Sequence, residues 1–325
     1  MRIAIYGAGA IGGHLAARLA RGGANVAVIA RGPQLAAIRA HGIRIDAPDG
    51  SWTAHPAAAT DTPADLGPQD IVITAVKAPA LPAIAAAIAP LLAPHTQVAF
   101  VTNGIPWWYF HAHGGPWDDR RLPRIDPGDA IRHAIGPHRA IGGVVYSACT
   151  VTAPGTIQVT TKRDKLILGT PDGRPSPAIA ALADPLRQAG MAVEETPHIR
   201  QAIWQKLLMN LALGPVCVLG AAAPRDLLAT PAIEAAMRAS YAEAATIAAA
   251  MGCPVQIDID AQIAYARAMT HKPSILQDLE LGRPMEIGGI YDAALSLARL
   301  SATPTPTLDR LVALVKLRAR AAGLY

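Results

Sequence analysis

The sequence predicts an α/β domain of the doubly wound kind followed by a mainly helical domain, and three observations predict it. A β-branched strand, Arg2 to Tyr6 (RIAIY), runs directly into a glycine-rich turn and a helix-like stretch, HLAARLAR. Short apolar strands then recur at the spacing of β-α-β units. From about Pro197 onward the β-branched alternation fades and a 3.6-residue period takes over. The linker Glu194 to Pro197 therefore divides the chain into residues 1–196 and 197–325. With 325 residues, 51% of them hydrophobic, there is apolar surface enough for two cores.

The turn after the first strand reads Gly7-Ala8-Gly9-Ala10-Ile11-Gly12, a G-x-G-x-x-G in strand-turn-helix context. Gly7 permits the tight turn, Gly9 lets backbone approach a pyrophosphate, and Gly12 allows the helix to pack closely on the strand. The helix N-terminus is then aimed at the phosphates. The next strand, Asn25 to Ala30 (NVAVIA), arrives at β-α-β spacing. Together these make the first domain a Rossmann-type dinucleotide-binding domain. An Asp or Glu at the end of the second strand would accept hydrogen bonds from the ribose of NAD. Here Ala30 is followed by Arg31. A guanidinium binds a 2′-phosphate through paired charge-assisted hydrogen bonds, so NADPH is the predicted cofactor. The alternative for Arg31 is a solvated loop arginine.

Further along, DIVITAV at 70–76 ends at Lys77, and QVAFV at 97–101 ends at Thr102-Asn103-Gly104. Ligands of open α/β sheets sit outside strand C-termini, which places Lys77 and Asn103 towards cofactor or substrate. Asn103-Gly104 also reads as plain turn chemistry. Residues 106–136 are Pro- and Gly-rich, hence loop-like. They hold five of the fourteen aromatic residues within eleven positions, Trp107 to Trp117. Such a cluster either packs the loop onto the sheet or walls the space beside Asn103.

The helical half opens with IWQKLLMNLALGPVCVLG, in which Lys206 and Asn210 sit four apart and share one helix face. Either that face is wet and the lysine snorkels, or both side chains serve one site. Other function classes find little support. Net charge is +5, but Lys and Arg are scattered and no basic run is interleaved with aromatics, so nucleic acid is not an expected partner. The excess suits an anionic cofactor or substrate as well as it suits a merely basic surface. Three cysteines, Cys149, Cys217 and Cys253, form no CxxC pair and fit reduced thiols in the cytoplasm. His111 and His113 lack convergent ligands, so no metal is expected. Neither a leader nor an uninterrupted apolar span is read, so secretion and a membrane location are not expected.

The chain resembles the ketopantoate reductases (2-dehydropantoate 2-reductases) over its whole length. The resemblance rests on GAGAIGG, Ala-Arg-Gly at 30–32, V-K-A at 76–78, N-G at 103–104, W-x-K-L-x-x-N at 204–210, K-P-S-x-L-Q-D at 272–278 and G-R-P-x-E-I at 282–287. It implies NADPH-dependent reduction of a 2-keto acid, ketopantoate, to the 2-hydroxy acid within pantothenate biosynthesis, in a cytoplasmic enzyme compatible with a homodimer. By matching positions, Lys206 resembles the general acid and Glu286 its associated carboxylate. Asn103, Asn210 and Ser274 resemble substrate-binding groups, with Asn103 also near the cofactor. Arg31 and Lys77 resemble the 2′-phosphate contacts. The chemistry agrees: hydride arriving at a keto carbon leaves alkoxide charge, which an ammonium both stabilises and protonates.

Two departures bear on the substrate. The family commonly carries an asparagine where this chain has Gly214, and an aspartate and a further asparagine where it has Gly288 and Tyr291. The expectation is a pocket freed for bulkier or more apolar tails, covered by the aromatic loop. The counter-reading is that the Tyr291 hydroxyl replaces a missing hydrogen bond and the loop merely packs. The 3-hydroxyacid dehydrogenases also place an asparagine four after a lysine, but after a glycine-rich turn, whereas this chain has RQAIWQ. A non-catalytic NADPH-binding regulator would not need Lys206 and Glu286 together.

Overall fold

The computed structural model describes residues 1–160 and 164–325. The chain forms two compact units, Met1–Thr102 with Pro106–Ile199, and Asn103–Ile105 with Arg200–Tyr325. The first is α/β and the second helical, as the periodicity predicts.

The strands of the first unit are β1 (Arg2–Tyr6), β2 (Asn25–Ile29), β3 (Ile43–Ala47), β4 (Gly50–Ala54), β5 (Ala58–Thr60), β6 (Gln69–Thr74), β7 (Leu92–Phe100), β8 (Ala140–Tyr146), β9 (Cys149–Ala153), β10 (Thr156–Val159), β11 (Lys165–Gly169) and β12 (Ala192–Glu195). Eight make one sheet in the order β12-β11-β8-β7-β6-β1-β2-β5. Its described pairings are parallel apart from β11 on β8. The other four form a small sheet, β4-β3-β10-β9. Strand order reverses at β1, with β2 on one side and β6 on the other. That reversal is the switch point at which such sheets open a ligand crevice.

β1 and β2 read as unbroken apolar runs because four of their five residues are buried, as expected for parallel strands covered on both faces. The helices are α1 (Ala10–Arg21), α2 (Gly32–His41), α3 (Leu81–Ala87), α4 (Ala130–Ile135) and α5 (Pro177–Gln188). One core joins Ile3 and Ile5 of β1, Leu15 and Leu19 of α1, Leu182 and Leu186 of α5, and Ile43, Ile45 and Ile157 of the small sheet.

Of the two readings of the aromatic loop, packing on the sheet is the one observed. Trp107, Trp108, Tyr109 and Phe110 are all buried within the first unit. Phe100, at the end of β7, meets Trp107 edge-on at 5.5 Å. A Cβ on Gly142 of β8 would come within 2.7 Å of the Trp108 ring, so the glycine makes room for the indole. The proline and glycine content predicts irregular backbone, while the aromatic rings supply a core of their own.

α1 carries two polar residues inward, because its middle is buried all round. His14 Nε2 lies 2.9 Å from the Asp164 carboxylate, and Arg18 donates to the same oxygen at 3.0 Å and to the Ala189 carbonyl at 2.5 Å. All three side chains are shielded from water. Charges so placed are tolerated only when paired, and this group ties the helix behind the glycine turn to the residue preceding β11.

The second unit contains α6 (Ile199–Gly220, continuing from the end of the first unit), α7 (Pro224–Leu227), α8 (Pro231–Ala250), α9 (Ile259–Ala268), α10 (Ser274–Glu280), a π-helical turn at Gly288–Asp292, α11 (Ala293–Leu300) and α12 (Pro306–Ala321). α6 is long and apolar enough to cross a membrane, yet 72% of its 18-residue window is buried inside the protein. Trp204, Leu207, Leu208, Leu211 and Val218 make it the core helix of this unit. The Glu243 carboxylate of α8 accepts from the Thr307 and Leu308 amides, capping α12.

Removing the shared carboxylate leaves two buried basic groups uncompensated. Asp164→Ala should therefore destabilise the protein by about 3–5 kcal/mol. Urea denaturation of the first unit checks this, and a loss below about 1 kcal/mol, the scale of an exposed pair, would show that water compensates the pair.

Candidate active site

The glycine turn between β1 and α1 is built by close approach. Gly7 has φ +101°, and a Cβ there would lie 2.5 Å from Val76 Cγ1. A Cβ on Gly12 would fall 1.8 Å from the Gly7 carbonyl oxygen, so helix and turn meet at backbone distance. Gly9 is the opposite case, because its Cβ direction meets nothing within 4 Å. Ala8, Ala10 and Ile11 complete the turn into α1, whose first turn holds no acidic residue. The donor set suits a pyrophosphate.

Gln34, which sequence reading passes over, holds this turn from the side. Its Nε2 donates to the Ala8 carbonyl at 2.9 Å, and its Oε1 accepts from the Gly155 amide at 2.9 Å. Only its position three residues after Arg31 could have hinted at it. Arg31 precedes α2 in extended conformation and is exposed. Burial raises the Tyr6 pKa while the Arg31 guanidinium, bonded to that hydroxyl, acts against the rise. Lys77 follows β6 and is half-buried. Gly7, Arg31 and Lys77 thus follow the C-terminal ends of three adjacent strands, β1, β2 and β6.

The second unit assembles the other predicted residues. Lys206, Asn210 and Gly214 succeed one another on one face of α6, each a rise of about 6 Å beyond the last. Lys206 and Asn210 are half-buried, and Gly214 is fully buried. Glu286, 8% exposed, precedes the π-helical turn. Its Oε2 accepts from Asn103 Nδ2 at 3.2 Å. Burial pushes the Lys206 ammonium down from 10.5 to about 8, and the Glu286 carboxylate opposes that fall. A lysine so poised is an acid near neutrality rather than a permanently charged surface group.

The turn reading of Asn103-Gly104 is seen at Gly104. Gly104 has φ +87°, and a Cβ there would lie 2.1 Å from the Gly289 carbonyl oxygen, which also accepts from the Ile105 amide at 3.1 Å. Only glycine fits that approach. Asn103 is thereby held against Glu286. Ser274 opens α10 and is exposed. Its neighbour Ile275 brings a methyl carbon to 3.4 Å from the Cβ position of Gly214, setting the start of α10 beside the same face of α6.

The departures at 214 and 291 prove to be one feature. A Cβ on Gly214 would sit 2.1 Å from Tyr291 Oη, so the phenol occupies the space of the missing side chain. Tyr291 is 0% exposed. The expected freed volume is therefore not found at Gly214, because a larger residue from the π-helical turn fills it. Spacing along one helix could not show this, as the filler comes from 77 residues further on in the chain.

A Rossmann-ordered sheet with a glycine turn of this shape, together with Lys206 on α6 and the buried Glu286 carboxylate that acts on it, is the make-up of a dinucleotide-dependent oxidoreductase. The chain belongs to the ketopantoate reductase PanE/ApbA family. The model for Ketopantoate reductase PanE/ApbA matches residues 3–173, and that for Ketopantoate reductase PanE/ApbA C terminal matches residues 198–319. A 2-dehydropantoate 2-reductase of Mesorhizobium japonicum is 43% identical, covering 100% of both chains. The crystal structure of a candidate ketopantoate reductase from Ralstonia solanacearum MolK2 superposes with TM-score 0.92 at 41% identity, covering 100% of this chain and 99% of the other. That of 2-dehydropantoate 2-reductase from Methylococcus capsulatus gives TM-score 0.84 at 30% identity, covering 99% and 98%.

Since Glu286 holds the Lys206 pKa up, Glu286→Gln should move the Lys206 titration to lower pH than the wild-type midpoint of about 8. NMR of labelled lysine Nζ across a pH series measures both midpoints. An unchanged or raised midpoint in the variant would separate the two residues.

Proposed function

We propose that the chain is an NADPH-dependent 2-keto acid reductase of the 2-dehydropantoate 2-reductase type, acting in the cytoplasm on ketopantoate. On this reading residues 1–196 bind the cofactor and residues 197–325 carry the substrate and catalytic groups. The observation that carries it is the half-buried Lys206 of α6, whose pKa burial lowers to about 8 and the Glu286 carboxylate holds up. It is supported by the family, by the curated relatives' named activity, and by a glycine turn whose shape suits a dinucleotide.

The bound cofactor supplies hydride to the keto carbon. Lys206 Nζ stabilises the charge gathering on the keto oxygen and delivers its proton there, becoming a neutral amine. Glu286 keeps that lysine protonated in its buried setting, and Asn103 keeps Glu286 oriented. Asn210 and Ser274 hold the rest of the substrate. Gly7 to Gly12 hold the pyrophosphate, while Arg31 and Lys77 bind the 2′-phosphate and favour NADPH over NADH. Because the acid is the protonated lysine, reduction is fully supported below a pH of about 8 and lost above it.

Lys206→Ala should cost about 10²- to 10⁴-fold in kcat with little change in NADPH affinity, followed by NADPH absorbance with ketopantoate. Turnover close to wild type would return Lys206 to the role of a wet helix face. Arg31→Ala should weaken NADPH binding roughly ten- to a hundredfold, the scale of one charge-assisted contact, and NADH binding far less. Equal losses for both cofactors, by fluorescence titration, would sink the 2′-phosphate assignment.

A further inference from the structure

The stretch that carries Glu286 is poorly suited to stand by itself. It runs into the π-helical turn Gly288–Asp292, whose backbone ring is wider than that of an α-helix and seldom extends beyond a single turn. The turn opens on two glycines, and glycine inside a helix leaves the backbone a freedom that other residues remove. Gly289 is tied down, because its carbonyl oxygen accepts from the Ile105 amide. Gly288 has no positive φ, and a Cβ there would meet nothing within 4 Å, so no close approach demands a glycine at this position.

The support comes from α12 and the residues that follow it. Just before Glu286, the Met285 amide donates to the Leu324 carbonyl oxygen at 3.1 Å. At the far end of the turn the buried Asp292 carboxylate accepts from Lys316 Nζ on one oxygen and from Tyr325 Oη on the other, each at 2.5 Å. Both ends of the segment 285–292 are thus attached to the same neighbour. Tyr325 is 45% exposed, yet its ring lies 5.6 Å from Lys316 Nζ and 5.5 Å from the Arg320 guanidinium carbon. An exposed phenol held over two cations and bonded through its hydroxyl is an oriented group. Burial, and then the bond to Asp292, raises its pKa, so it remains a donor across the neutral range. Lysine brings a point charge on a flexible stem, whereas the rigid phenol brings direction. With one donor on each oxygen, the plane of the Asp292 carboxylate is fixed.

We infer that Tyr325 is a positioning residue for Glu286: with Leu324 it clamps the segment Met285–Asp292 and so fixes where the Glu286 carboxylate stands relative to Lys206. The catalytic meaning of the clamp rests on the reductase reading above, and the clamp itself does not. When it loosens, Glu286 gains freedom to turn towards water, and the burial of Lys206 is opposed less strongly.

The test is Tyr325→Phe in the whole protein, which keeps the ring over both cations and removes only the hydroxyl. Amide hydrogen exchange at residues 287–292 should speed up roughly several-fold, with α8 unchanged. By NMR of labelled lysine Nζ, the Lys206 midpoint should fall by roughly half a pH unit, within the span of about one unit that a single hydrogen bond can hold. In a Glu286→Gln background the same substitution should move the midpoint no further, because Tyr325 acts through Glu286. With NADPH and ketopantoate, the alkaline loss of kcat should move to lower pH in step, while NADPH affinity stays as in wild type. An unmoved midpoint, a shift that persists beside Glu286→Gln, or exchange that rises equally across the helical unit would each overturn the positioning role. If exchange and midpoint respond as expected but no 2-keto acid is reduced, the clamp holds and the reductase reading falls.

Discussion

A carboxylate taken almost wholly out of water has to be met by donors, and around Glu286 that requirement organises the helical unit. One donor is Asn103, brought by a three-residue stretch that leaves the α/β unit and returns to it. That stretch can lie against the Glu286 segment only because Gly104 has no side chain where the Gly289 carbonyl oxygen approaches. The other charge is Lys206, whose pKa burial lowers to about 8 while Glu286 opposes the fall. The pair is therefore interdependent: each group makes the other's burial tolerable.

Packing of polar groups in the α/β unit follows the same logic to a different end. His14, Arg18 and Asp164 pair inside a core that is otherwise aliphatic, and they fix α1, the helix whose N-terminus closes the glycine turn. Gln34 braces the turn's Ala8 carbonyl from α2. A glycine turn needs this support because its glycines, lacking side chains, contribute no packing of their own. The rigidity comes from the neighbours.

The Gly214–Tyr291 pair shows two distant positions of the chain filling one space. A side chain absent from one helix is replaced by a larger one reaching from a π-helical turn, an element in which the widened ring of the backbone re-aims side chains.

Much of this protein was legible in its residues. The strand-turn-helix around Gly7 to Gly12 declares itself because close backbone approach admits only glycine, a local demand that leaves a local mark. Lys206 and Asn210 could be placed on one face from helix geometry alone, and Arg31 could be read for its charge because the end of β2 is a known position in this kind of sheet. The change from strand to helix periodicity marked the two parts of the chain. Other features needed the tertiary structure. That the Trp107 to Phe110 rings pack on the sheet, that Gly104 answers to Gly289, that Gln34 and Asp164 support the glycine turn and its helix, and that Tyr291 fills the space of Gly214 all depend on contacts between residues far apart in the chain. Periodicity reports which way a side chain faces, because that is set by the backbone of its own element; what it meets there is set by how elements pack, and close packing leaves no trace in the spacing of either partner.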